Sequence, residues 1–148
     1  MMSSEGVLGA QALASGVMCG IIWFVQAVHY PLFAAVPDAH RAEYARLNRF
    51  STAWVVLPPM IIEAVTAVWL AIWPPAAVGR TVAIVGVALV AVLWLSTLTV
   101  QMPLHLQLER QGSTQVVVSQ LVRGNWLRTI LWTARAVLAG WMVARCGR

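Results

Sequence analysis

Four long apolar stretches run along the chain, separated by shorter segments that are richer in polar residues, proline and glycine. Each stretch is long enough to cross the hydrocarbon core of a bilayer, roughly 30 Å thick, which takes about 20 helical residues. The pattern predicts membrane-spanning helices near residues 7–30, 52–73, 80–103 and 124–144. We therefore expect one all-α domain over residues 1–148, an integral membrane four-helix bundle built from two helical hairpins.

The connections between the spans differ in length and character. The segment WPPAAVGR (73–80) has two prolines and a glycine, which predicts a tight hairpin between the second and third spans. The longer connections, 31–51 and 104–123, contain amphipathic stretches, and each predicts a short helix in the membrane interface. An even number of spans puts both chain termini on one side of the membrane and both long connections on the other.

Composition and charge agree with a membrane protein. The chain is 60% hydrophobic and 10% charged, whereas soluble domains have about 45–50% and 25%. Of the ten arginines, five lie on the side of the long connections and three on the side of the termini. The positive-inside rule thus favours long connections in the cytoplasm with both termini outside. Because the arginines form no continuous basic surface, we expect the lipid bilayer, and not nucleic acid, as a partner.

Two charged residues lie deep within predicted spans. Glu63 is twelve residues after Ser51 and Arg135 is eleven after Gly124, which places both about 16–18 Å from the same membrane face. An isolated charge at that depth costs about 2.5–3.5 kcal/mol on insertion scales. We expect an ion pair in the bundle interior, which either fixes the helix register or forms part of a site.

The fourth span carries a polar stripe. Asn125, Arg128, Trp132 and Arg135 follow i, i+3, i+7, i+10 spacing, so they share one helical face that should point away from lipid. Arg128 is close enough to the surface for its guanidinium to reach water by snorkelling, whereas Arg135 is too deep.

Glutamine and histidine recur in pairs at the ends of the first and third spans. Gln26 and His29, followed by Tyr30, lie one turn apart, and Gln101 and His105 share a helix face. The segments QAVHYPLF and QMPLHLQL are similar, which suggests an internal repeat with pseudo-twofold symmetry. Such repeats often place a site at their interface.

These residues define a candidate site toward the long connections. Two histidines on facing helices can bind haem or a transition metal, although a lone histidine at a helix end is also a common interfacial hydrogen-bonding group. No Cys/His spacing motif is present, so a metal site depends on their approach in space. The candidate metal ligands are His29 and His105. The candidate catalytic residues are His29, Glu63, His105, Arg128 and Arg135, and those that bind a cofactor or substrate are Gln26, Tyr30, Gln101, Asn125 and Trp132.

Four segments carry a resemblance to known proteins: VHYPLF, PPMIIE, LST…Q.PLH and NWLRT..W..R. With them the chain resembles a group of small bacterial four-helix membrane proteins over nearly its whole length. In size, span number and layout it also resembles, more distantly, the anthrone-oxygenase-like membrane family. The second resemblance implies oxygen-dependent oxidation of a hydrophobic aromatic or quinol-like substrate, and it assigns a role to no individual residue.

Two function hypotheses follow. In the first, the protein is a membrane redox enzyme or a haem- or metal-binding protein that acts on a hydrophobic quinol-like or aromatic molecule, with the histidines as ligands or proton-transfer groups and the arginines stabilising negative charge. In the second, it is a non-enzymatic accessory subunit or small transporter that binds an anion or lipid headgroup. We expect a homo-oligomer, since a chain of this size is small for alternating access.

Overall fold

The chain folds into four long helical runs. The computed structural model describes residues 3–111 and 115–147, and all regular elements in these ranges are helical, which confirms the all-α prediction. The first run is α1–α2, the second is α3, the third is α4–α5 and the fourth is α6; π-helical turns interrupt the first and third. The elements are α1 (Ser4–Phe24), π turn 1 (Val25–His29), α2 (Tyr30–Phe33), α3 (Asp38–Ile72), α4 (Arg80–Ser96), π turn 2 (Thr97–Gln101), α5 (Met102–Gln111) and α6 (Gln115–Cys146).

A tight turn joins α3 to α4, as predicted. Beyond the end of α3, the backbone N–H groups of Val78 and Gly79 both donate to the Pro75 carbonyl at 3.0 Å. Gly79 has a φ of 77°, a left-handed conformation that glycine adopts without the steric cost of a Cβ atom. Helix α4 begins directly afterwards at Arg80.

The predicted interfacial helices are not separate elements. Helix α3 runs without interruption from Asp38 to Ile72, because residues 38–57 contain no proline or glycine to end it and Pro58 is accommodated inside it. Helix α5 continues the third run, and α6 already begins at Gln115. The part of the second predicted interfacial segment at 112–114 lies outside the described residues. Both long connections are therefore mostly extensions of the long helices.

The four runs pack with α1 and α4 each in contact with both α3 and α6. A central cluster of apolar side chains joins them, with Met18 and Ile22 from α1, Met60 from α3, Leu93 from α4 and Trp132 from α6. The outer surfaces are also apolar: Trp54, for example, is 83% exposed. An apolar exterior around a partly polar interior is the reverse of a soluble helical protein.

Three of the helical runs are long and apolar enough to cross a membrane: Ser4–Phe33, Asp38–Ile72 and Arg80–Arg110. They correspond to the first three predicted spans. Helix α6 corresponds to the fourth and has 32 residues, but in its described length it does not reach the same mean hydropathy. Its stripe of arginine and asparagine side chains lowers that mean.

Candidate functional site

The two π turns occur at equivalent places in the first and third runs. Each ends two residues before a proline, Pro31 in one and Pro103 in the other. Proline has no N–H and its ring clashes with the carbonyl four residues earlier, and a π turn is a known way to accommodate such a disruption. In both turns the backbone closes with an i→i−5 hydrogen bond, from Tyr30 N to Val25 O and from Met102 N to Thr97 O. The similarity suggested by the sequence therefore extends to the backbone.

The repeat does not extend to the glutamine positions. Gln26 is the second residue of its π turn, whereas Gln101 is the last of its own. Both side chains are nevertheless buried in the protein. Each π turn thus directs one amide side chain inward, from different positions in the turn.

The deep polar cluster, which we call the ion-pair layer, confirms the predicted Glu63–Arg135 ion pair. Both side chains are almost fully buried, and Ser15 Oγ donates to Glu63 Oε1 at 3.2 Å. When the Gln11 amide is oriented to satisfy its neighbours, its oxygen accepts from Ala67 N at 3.2 Å and from the Arg135 guanidinium. The residues of the ion-pair layer are Gln11, Ser15, Glu63, Gly86 and Arg135.

Gly86 makes room for the guanidinium in this layer. A Cβ atom at this position would lie 3.1 Å from Arg135 Nη1 and 3.3 Å from Cζ. The ion-pair layer therefore involves all four runs, with α4 contributing the space that the charged group occupies.

A second polar cluster, the cavity layer, lies toward the predicted long connections. On the shared face of α6, Arg128 precedes Arg135 by seven residues, which is about 10 Å along the axis, and buried Trp132 lies between them. Arg128 is only 6% exposed, so the snorkelling alternative is wrong. The residues of the cavity layer are Gln26, His29, Tyr30, Trp94, Gln101, His105, Asn125 and Arg128.

Hydrogen bonds link several members of the cavity layer. Asn125 Nδ2 donates to Gln26 Oε1 at 3.0 Å, and Arg128 Nη1 donates to Asn125 Oδ1 at 3.1 Å. Tyr30 Oη and His105 Nε2 are 3.0 Å apart, and the Tyr30 side chain also hydrogen-bonds Arg128. The network extends from the first π turn through α6 to the end of the third run.

A cavity of about 360 Å³ adjoins this network. It is lined mainly by apolar side chains of α1, α3 and the second π turn. The polar residues on its lining are His29, Tyr30, Asn48, Arg49, Thr52, Trp94, Thr97, Gln101, His105 and Arg128. Its volume lies within the range of about 300–1,000 Å³ typical of small-molecule sites, which combine apolar walls with a few polar groups.

Many polar atoms of this cavity have no partner. Nine described residues have buried side-chain polar atoms without a hydrogen bond, and five of the nine line the cavity. Both amide atoms of Gln101 are among them, although Gln101 is 98% buried. Because an unpaired buried polar group costs about 1–3 kcal/mol, such a concentration indicates a site for a ligand or ordered water. The five are His29 Nε2, Trp94 Nε1, Gln101 Nε2 and Oε1, His105 Nδ1 and Arg128 Nε.

The two predicted metal ligands, His29 and His105, line the same cavity. His29 lies among aromatic rings, with Phe33 at 5.3 Å and Tyr44 at 6.5 Å between centroids. Within residues 3–111 and 115–147, no group of three or more His, Cys, Asp or Glu residues could hold a metal ion. Ligation of haem or a metal by the two histidines alone stays a prediction.

The predicted site residues therefore fall into two groups. Glu63 and Arg135 belong to the ion-pair layer, Trp132 lies between the layers, and the other predicted residues belong to the cavity layer. Sequence reasoning missed Gln11, Ser15 and Gly86. The signal for the first two was present, since Gln11 and Ser15 are polar residues spaced i, i+4 in an apolar span and share a face.

In comparisons with known proteins, no protein-family model, curated protein or solved structure matches this chain. Function is therefore inferred from the geometry of the two layers.

Proposed function

We propose that the protein is an integral membrane four-helix bundle of the bacterial cytoplasmic membrane, with α6 as its fourth span. The surface of α6 supports this proposal: Ile130 is 62% exposed and Val137 67%, whereas Arg128 and Arg135 are buried. The polar residues that lower its mean hydropathy would thus face protein and not lipid. The arginine distribution favours the orientation with both termini outside.

We further propose that the cavity binds one hydrophobic small molecule with an oxygen-bearing head, of the quinone, quinol or aromatic type. The observation that carries this proposal is the group of unpartnered polar atoms on a mostly apolar cavity. The Trp94 N–H and Gln101 amide N–H groups can donate to carbonyl or hydroxyl oxygens, while the apolar walls accept a ring or tail.

The Tyr30–His105 pair offers proton transfer at the polar end of the cavity. Its two polar atoms are 3.0 Å apart, and both residues line the cavity. A histidine within hydrogen-bond reach of a phenol can pass a proton to or from a bound hydroxyl or carbonyl oxygen. This is the proton chemistry that interconversion of a quinone and a quinol requires of a protein.

A groove between α1 and α3 supplies a route from the bilayer. It is lined by Gly20, Phe24 and Val55, and it shares His29 and Val56 with the cavity. No heavy atom lies within 4 Å of a Cβ built on Gly20, so the groove is open at this point. A hydrophobic ligand could therefore enter laterally without passing through water.

The proposal is tested by titrating detergent-purified protein with a short-tailed quinone and following tryptophan fluorescence, since Trp94 lines the cavity. We expect saturable quenching. Gln101→Leu should weaken binding about tenfold, because it removes hydrogen bonds to the head. The matched control is Thr99→Val, a polar-to-apolar change at an exposed position of the same π turn.

Linear, unsaturable quenching, or equal affinity in the wild type and Gln101→Leu, contradicts the proposal.

A second candidate function is ligation of haem or a metal, which is favoured by the unpartnered His29 Nε2 and His105 Nδ1 atoms on one cavity. An absorption spectrum of the same preparation tests it. A Soret band that is lost in both His29→Ala and His105→Ala would show that this cavity holds haem and not a quinone.

A further inference from the structure

Only one of the two buried arginines of α6, Arg135, has an acidic partner within the chain. The sequence has five acidic residues, and each has a known place in the structure. Glu63 pairs with Arg135, Glu109 with Arg49 and Asp38 with Arg41. Of the remaining two, Glu5 lies in the first turn of α1, and Glu43 is exposed near the start of α3. None of these carboxylates pairs with Arg128.

The contacts that Arg128 does make are with neutral groups. Its Nη1 donates to the Asn125 amide oxygen and its guanidinium hydrogen-bonds the Tyr30 phenol, while Nε has no partner. The side chain is 94% buried and lines the cavity. A guanidinium stays charged in proteins, so a full positive charge faces a mostly apolar cavity without a counter-ion within the chain.

From this imbalance we infer that the ligand's head is an anion: the cavity takes an apolar molecule carrying one acidic oxygen, a carboxylate or an acidic phenol or enol, paired with Arg128. This inference rests on the proposed function and narrows its ligand class. An anionic oxygen accepts charge-assisted hydrogen bonds from Arg128 Nε and from an amide N–H of Gln101. The pairing would neutralise the charge in the same way that Glu63 neutralises Arg135.

The size and lining of the cavity favour this ligand over a small inorganic anion or a phospholipid. Most of its lining is apolar, for example Met18, Val56 and Leu98. Its second arginine, Arg49, is already paired with Glu109, so a second charged oxygen would find no uncompensated cation there. A volume of about 360 Å³ suits one ring system with a short tail and not two acyl chains.

The experiment compares two probes that differ in charge and by one methyl group: an alkyl-substituted 2-hydroxy-1,4-naphthoquinone, which is an anion at neutral pH, and its neutral 2-methyl ether. Binding to purified protein is measured by titration calorimetry in a non-ionic detergent. We expect the wild type to bind the anion at least about tenfold more tightly than the ether. Arg128→Met should abolish that preference, whereas Arg128→Lys, which keeps the charge, should retain part of it.

The matched control is Arg123→Met, which removes an exposed arginine from the same helix and should leave the preference unchanged. Equal binding of both probes by the wild type, or a preference that persists in Arg128→Met, overturns the inference and leaves the proposed function standing. Displacement of the anion by added phosphatidylglycerol overturns it in favour of a lipid-headgroup site. Failure of both probes to bind overturns the inference together with the proposed function.

Discussion

Arg128 and Arg135 lie on one face of the same helix, seven residues apart, and both are buried, yet their surroundings differ. Arg135 pairs with Glu63 and donates to the Gln11 amide oxygen, although its Nη1 atom has no hydrogen-bond partner. Arg128 has only neutral partners and a free Nε atom beside a cavity. The first charge has its counter-ion within the chain, whereas the second would gain one only from a bound molecule.

The surroundings of the two arginines suggest different roles for the two buried charges. Burying an ion pair gives little net stability, although breaking it is costly, so the ion-pair layer is suited to fixing the register of the helices. An uncompensated buried charge lowers the stability of the empty protein, and this free energy is regained when an anionic ligand binds. Sites of this second kind trade stability for function.

The largest effect expected is on the ion-pair layer. Arg135→Met leaves the Glu63 carboxylate buried without its counter-ion, which should lower the free energy of unfolding by about 3–5 kcal/mol. The measurement is reversible unfolding by SDS in mixed micelles. The control is the double variant Glu63→Leu/Arg135→Met, in which no charge is left, and we expect it to recover most of the loss. A double variant that is no more stable than Arg135→Met would show that the loss does not come from the unpaired carboxylate.

A matched pair of glycine variants compares how tightly the two layers are packed, and the expected effects on stability are of intermediate size. A Cβ on Gly86 would lie 3.1 Å from Arg135 Nη1, and one on Gly124 would lie 3.0 Å from Gln101 Nε2. The Arg135 guanidinium is held by Glu63, so Gly86→Ala should destabilise the protein by about 1–3 kcal/mol through overpacking. The Gln101 amide makes no hydrogen bond and lies beside a cavity, so Gly124→Ala should cost clearly less.

Both glycine variants are measured by the same SDS unfolding. Gly140→Ala serves as the control, because nothing lies within 4 Å of its Cβ and the change should stabilise α6 by up to about 1 kcal/mol. Equal losses for Gly86→Ala and Gly124→Ala would mean that the cavity layer is as tightly packed as the ion-pair layer, which would contradict the comparison.

Much of the fold and part of the site could be predicted from the sequence. The lengths of the apolar stretches predict the long helices. The cost of an isolated charge in lipid predicts the Glu63–Arg135 pair, because the depth of each residue in the membrane follows from its position in its span. The π turns before Pro31 and Pro103 could not be predicted, since a proline also ends or kinks helices. The cavity could not be predicted either, because it depends on how side chains from several runs fill the space between them.

The smallest effect on stability, and the one that tests the comparison most directly, is expected for Arg128→Met. The variant loses the hydrogen bonds of the charged guanidinium to Asn125 and Tyr30, worth about 1.5–3 kcal/mol each, and also removes the cost of several kcal/mol of an uncompensated buried charge. These terms oppose each other, so the free energy of unfolding of the ligand-free protein should change by less than about 1 kcal/mol or rise. The same SDS unfolding measures it, with Arg123→Met as the exposed control.

A loss as large as that of Arg135→Met would mean that the charge of Arg128 is compensated inside the empty protein, and the two layers would then be alike. The expected contrast arises because the methionine side chain adds apolar volume beside a cavity that can accommodate it, whereas in the ion-pair layer the same replacement leaves a buried carboxylate. Identical substitutions at two positions of one helical face would thus differ in effect because only one of the arginines has its counter-ion within the chain.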